Sequence, residues 1–89
     1  IAEDQALLRE GLGRLFADRG HEIVASAGDA EGLLATVAET RPDLVVVDIR
    51  MPPTHTDEGA RAAREIKAAR PDVGVLVLSQ HIETTQIFA

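Results

Sequence analysis

The amino-acid sequence predicts an α/β domain, an open parallel sheet flanked by helices, and three observations carry that expectation. Leu44-Val45-Val46-Val47 and Val73-Gly74-Val75-Leu76-Val77-Leu78 are apolar runs. Neither alternates polar with apolar residues, as a strand with one wet face would, so both suit strands covered on two faces. Each run follows the same three residues, Arg41-Pro42-Asp43 and Arg70-Pro71-Asp72. The repeat distance is the size of one βα unit, and successive units of this kind imply parallel strands with crossover connections. Between and before the runs lie stretches with helical spacing of apolar residues.

Taken in order, Ile1-Ala2 reads as the tail of a first strand that is cut short, and the chain is expected to begin inside a longer polypeptide. From Gln5 to Arg19, Leu8, Leu12, Leu15 and Phe16 recur at spacings of three and four, one apolar stripe of a first helix. Gly20 stands where such a helix ends. His21 to Ala27 reads as a short second strand. Asp29 is placed to cap a second helix whose buried side holds Leu33, Leu34, Val37 and Ala38, and Pro42 marks its end. The strand from Leu44 stops at Asp48, ahead of Pro52-Pro53, because proline cannot donate to a ladder. A third helix is expected over Glu58 to Ala69, with Ala62, Ala63 and Ile66 inward. The strand from Val73 ends at Ser79, and Gln80 to Ala89 reads as the start of a fourth helix.

The bulk numbers exclude several function classes. Eighty-nine residues make a single small domain, 1–89, with a modest core. There is no cysteine, hence no disulfide and no thiolate metal site. A net charge of −6 argues against nucleic-acid binding by this segment itself. No apolar run is long enough to span a membrane and no signal peptide is visible, so a cytoplasmic location is the default.

Chemistry concentrates in the acids at strand ends. Glu3 and Asp4 follow the first strand and Asp48 ends the third. Open α/β sheets bind ligands at the carboxyl edge of their strands. If these two strands are neighbours, three carboxylates crowd that edge, which is unfavourable unless a cation joins them. Mg²⁺ suits one or two carboxylates plus water and phosphate. Read alone, Glu3 and Asp4 fit equally well as solvated acids capping the first helix, and Asp48 as a carboxylate capping a loop. Other residues read as bland. His21 faces solvent, Met51 packs beside the loop, and His55 and His81 lack a ligand-spaced partner. Gly11-Leu12-Gly13 is not a dinucleotide fingerprint, since Phe16 stands in the third glycine's place.

Together these motifs carry a family resemblance. Glu3-Asp4-Gln5 followed by Leu7-Leu8-Arg9, Pro42-Asp43-Leu44 through Asp48-Ile49-Arg50-Met51-Pro52, and Val77-Leu78-Ser79 resemble the receiver domain of bacterial two-component response regulators, in particular the NarL/LuxR type. The resemblance covers nearly the whole chain. It implies a flavodoxin-like sheet of order 2-1-3-4, here without the family's fifth strand and helix. It also implies that Asp48 is the phosphoacceptor for a sensor histidine kinase, since a carboxylate is a competent nucleophile. The implied Mg²⁺ ligands are Asp4, Asp48, the backbone carbonyl of Arg50, and Glu3 through water. Ser79 would be the switch hydroxyl. The implied output is a C-terminal DNA-binding helix-turn-helix domain beyond this segment, which makes the chain a signalling module rather than an enzyme.

Three departures stand out. The family's lysine on the fifth strand has no counterpart, because the one lysine, Lys67, lies in the third helix. The loop after Asp48 is a few residues longer than is usual in the family, with Thr54-His55-Thr56 near the site. The strand from Val73 is expected to have a bare edge, covered either by residues that follow or by a second copy in a homodimer. Two alternatives remain open at this level: an interaction scaffold that is never phosphorylated, and a Mg²⁺-dependent phosphatase with an aspartate nucleophile. Many such phosphatases want a second acid two residues after the nucleophile, where this chain has Arg50.

Overall fold

The computed structural model describes residues 1–79 and the backbone of 85–88. Six elements occur in the order α1 (Ala6–Asp18), α2 (Ala30–Thr40), β1 (Leu44–Asp48), α3 (Glu58–Ala69), β2 (Gly74–Leu78) and β3 (Thr85–Phe88). β1 and β2 pair in parallel, from Leu44 opposite Gly74 to Asp48 opposite Leu78, with α3 between them in the chain. On the other side of β1, Ala2 bridges in parallel to both Val47 and Ala27. The Ala2 amide donates to Val46 O at 2.7 Å, the Asp48 amide to Ala2 O at 3.0 Å, and the Glu3 amide to Ala27 O at 3.0 Å. The expected order 2-1-3-4 is therefore present, with its first two members reduced to short bridged segments.

Local chemistry accounts for the helix boundaries. Gly20 adopts φ +89°, and its amide donates to Ala17 O while the His21 amide donates to Phe16 O, a pair of bonds that closes α1. Asp29 accepts from the Gly32 amide at 2.6 Å and caps α2. On α3 the inner face carries Ala62, Ala63 and Ile66, all buried. Small residues there bring the helix axis close to β1 and β2. Val45, Val46 and Val47 are all buried, as expected of a strand covered on both faces. Met51, just past the strand, is fully enclosed in the core rather than resting beside the loop.

Four expectations are corrected. His21 to Ser26 form no strand, and only Ala27 makes a bridge. A strand needs a ladder partner, and among the described residues only Ile1 and Ala2 run beside this segment, with Ile23 and Val24 37% and 51% exposed. Over the segment read as a fourth helix, residues 85–88 are a strand, antiparallel to β2 with Leu78 opposite Thr85; residues 80–84 and 89 lie outside the described residues. The open groups along β2 are met by β3, whose Thr, Ile and Phe favour extended backbone. The edge of β2 is thus paired within the chain, which removes the reason for expecting a second copy there. Ala38 is exposed, and in α1 Leu8 and Leu15 are 40% and 48% exposed, leaving Leu12 and Phe16 as its half-buried contacts.

Candidate functional site

The strand register builds the site. Ala2 is opposite Val47, so the next residues, Glu3 and Asp48, leave adjacent strands side by side at the carboxyl edge. Asp4 follows in the bend before α1. Carboxylate oxygens of Glu3, Asp4 and Asp48 all lie within 4.8 Å of one another. Glu3 and Asp48 are each 2% exposed, and Asp4 is partly open to solvent. The expected convergence of three acids is present. The sheet brings Ser79 to the same edge, immediately after Leu78, which is opposite Asp48 and whose carbonyl accepts from the Ile49 amide at 2.9 Å.

Electrostatics at this edge follow from the crowding. Burial pushes the Glu3 carboxyl up to about 7, and its acidic neighbours Asp4 and Asp48 push the same way; a hydrogen bond from the Gln5 amide at 3.0 Å opposes them. Asp4 is held below its ordinary value, chiefly by its hydrogen bond with the Glu3 side chain and then by His55. A proton on Glu3 thus does part of what a cation would do for the cluster. Asp48 Oδ1 accepts from the Arg50 amide at 3.3 Å. Two buried carboxylates and a third at the rim make an all-oxygen donor set, which suits a hard divalent cation such as Mg²⁺.

Several residues that shape the site carried no signal in the local pattern. Arg9 reaches back from α1 and donates to the Glu3 carbonyl at 2.7 Å, fixing the acidic turn. Gly59, in the first turn of α3, donates to Ile49 O at 2.8 Å. A Cβ on it would fall 1.7 Å from Asp48 O, so only glycine permits this approach. Glu58 accepts from the amides of Thr54 (2.7 Å) and Thr56 (3.1 Å) and from the Thr54 hydroxyl. Those bonds, the hydroxyl's foremost, draw its carboxyl down to about 2. They also fold the long loop against α3, and His55 on that loop meets Asp4, with Nε2 at 3.1 Å from Oδ2. The signal that could have found Gly59 is a glycine in the first turn of a helix that follows a strand-end acid. The long loop after Asp48 placed His55 near the site, but its pairing with Asp4, 51 residues away, carried no local signal. A separate cavity of about 240 Å³ lies between Phe16, Ile23, Leu33, Val37 and Val45 and includes none of Glu3, Asp4 and Asp48.

Comparison with known proteins agrees with the geometry. The sequence profile of the response regulator receiver domain matches residues 1–89. The chain is similar to the transcriptional regulatory protein DegU of Brevibacillus brevis, 36% identical over 98% of this chain and 36% of that protein. It is also similar to the transcriptional regulatory protein PdtaR of Mycobacterium tuberculosis, 39% identical over 90% of this chain and 38% of that protein. The chain therefore spans well under half of these relatives. Among solved structures, a LuxR-family two-component response regulator from Aurantimonas sp. SI85-9A1 superposes with a TM-score of 0.80 at 33% identity, over 90% of this chain and 56% of that one. A three-acid edge on a flavodoxin-like sheet, matched over its whole length by one family profile, leads to one conclusion: this chain belongs to the response regulator receiver domain family.

Proposed function

We propose that this domain is a phosphoacceptor switch in which Asp48 takes a phosphoryl group from the phosphohistidine of a sensor kinase and thereby controls an attached output. The convergence of Glu3, Asp4 and Asp48 at the carboxyl edge carries this reading, since such a cluster favours a hard divalent cation, whose remaining coordination positions can take a phosphate. Asp4, Asp48 and the Arg50 carbonyl would hold Mg²⁺, with Glu3 acting through water. The ion, when bound, supplies positive charge to the transferring phosphoryl oxygens.

The chain's own residues do the rest. A carboxylate oxygen of Asp48 forms the new O–P bond as the P–N bond to histidine breaks, and the imidazole leaves with the electron pair and takes up a proton. The Arg50 amide on Oδ1 fixes the orientation of the nucleophile. Burial of Asp48 keeps water scarce around its inner side. The Ser79 hydroxyl, at the adjoining strand end, would donate to a phosphoryl oxygen and report phosphorylation to the neighbouring backbone.

Relatives described as transcriptional regulatory proteins support a DNA-binding output domain and a cytoplasmic setting for the whole protein. Among the described residues no helix is long and apolar enough to cross a membrane. Arg50, standing where many aspartate-nucleophile phosphatases have an acid, favours the signalling reading over a turnover enzyme. The test is labelling of the full-length protein by a small phosphodonor in Mg²⁺. Wild type should incorporate one phosphoryl group and Asp48→Asn none. Undiminished labelling of Asp48→Asn would overturn the assignment.

A further inference from the structure

We propose that His55 is a positioning residue for Asp4: a hydrogen bond from the long loop after β1 sets the orientation of that carboxylate for a divalent cation. The inference rests on the metal-site reading of the three acids and adds a residue contributed by this chain's longer loop. His55 Nε2 lies 3.1 Å from Asp4 Oδ2, across 51 residues of sequence. A carboxylate that ligates a cation is ionised and only accepts, so in that role the imidazole donates from Nε2. The imidazole is not itself in the cluster of ligand atoms, which comprises Glu3, Asp4 and Asp48. It therefore engages Asp4 from outside that cluster, where it fixes which way the carboxylate turns.

Two further observations make the contact a built one. The loop is held from several directions: Glu58 binds the Thr54 and Thr56 amides, the two threonine hydroxyls lie 2.8 Å apart, and the His55 amide donates to Met51 O at 3.0 Å. Met51 is itself fully buried, so the base of the loop is anchored in the core. His55 also adopts φ +56°, a left-handed conformation that a non-glycine residue rarely takes and that persists where the surroundings impose it.

The test is a Mg²⁺ titration of the full-length protein followed by amide chemical shifts, for wild type, His55→Ala and His55→Gln. Glutamine can present an N–H donor near the position of Nε2. Loss of an outer partner of a metal ligand typically weakens metal binding by 10–100-fold. His55→Ala should therefore bind Mg²⁺ at least about tenfold more weakly, and His55→Gln should recover most of the loss. Unchanged or tighter binding by His55→Ala overturns the proposal. So does a His55→Gln variant as weak as His55→Ala, which would mean that the ring only packs the loop. Failure of wild type itself to bind Mg²⁺ overturns the metal-site reading, and the positioning role falls with it. Spectra of the metal-free variants should superpose on wild type away from the loop; widespread differences would also count against the proposal.

Discussion

Gly59→Ala should be among the most damaging conservative changes in this domain, although alanine is the better helix former. In an open helix the substitution is favourable by about 0.5–1 kcal/mol, since glycine loses more backbone freedom on folding. At Gly59 the new methyl would lie 1.7 Å from Asp48 O, 2.7 Å from Asp48 C and 2.9 Å from Ile49 O, where ordinary contact begins near 3.4 Å. All three atoms are backbone, so no side chain can swing aside. The first turn of α3 and the end of β1 must separate by more than an ångström. Overpacking of this kind costs about 1–3 kcal/mol. Losing the 2.8 Å bond from the Gly59 amide to Ile49 O adds about 0.5–1.5 kcal/mol. Against the propensity gain, the net destabilisation is about 0.5–4 kcal/mol, centred near 2 kcal/mol. For a domain of this size each kcal/mol shifts Tm by about 4–8 °C, so the central value lowers Tm by roughly 10–15 °C. Gly11→Ala in α1 is the control, because nothing lies within 4 Å of its added methyl. It should be neutral or slightly stabilising. Thermal unfolding of the two variants, with Mg²⁺ titration of Gly59→Ala, checks both consequences, since the atom displaced is the carbonyl of the site aspartate. Equal Tm values for Gly59→Ala and Gly11→Ala would refute the reasoning.

Two other perturbations follow from the same structure. Val47→Ala removes two methyl groups from a side chain that is 0% exposed and should cost about 1.5–3 kcal/mol in urea unfolding, whereas Val24→Ala, at 51% exposure, should stay within about 0.5 kcal/mol; similar losses at both would mean the core is misplaced. Glu58 has its carboxyl drawn from an ordinary value near 4.5 down to about 2, so the folded state binds fewer protons than the unfolded state between those values. Its stabilisation is fully present above about pH 4.5 and is lost as pH falls toward 2. Glu58→Gln should flatten the fall in Tm across that window, and an unchanged slope would show that the carboxylate does not hold the loop.

What the sequence determined by itself is what local physics encodes. Continuous β-branched runs have no wet face, and β1 is accordingly buried on both sides. The spacing of Ala62, Ala63 and Ile66 puts them on one side of a helix, and that side of α3 is buried. Gly20 and Asp29 end and start helices through bonds that reach only a few residues. Asp48 at the end of a buried strand marked the candidate edge, because any parallel strand delivers its last residue there. The stretch His21 to Ser26 shows the limit. Its pattern is extended, but a strand exists only when a partner lines up beside it, and here the partner is two residues long. Residues 85–88 show the same limit from the other direction, since their extended propensity becomes a strand only by pairing with the open edge of β2. Tertiary structure alone decided the fine shape of the site. Gly59 is required by how closely α3 approaches Asp48, and His55 matters because the fold brings Asp4 to its ring. Neither distance is written in residue spacing, because each is set by packing among segments far apart in the chain.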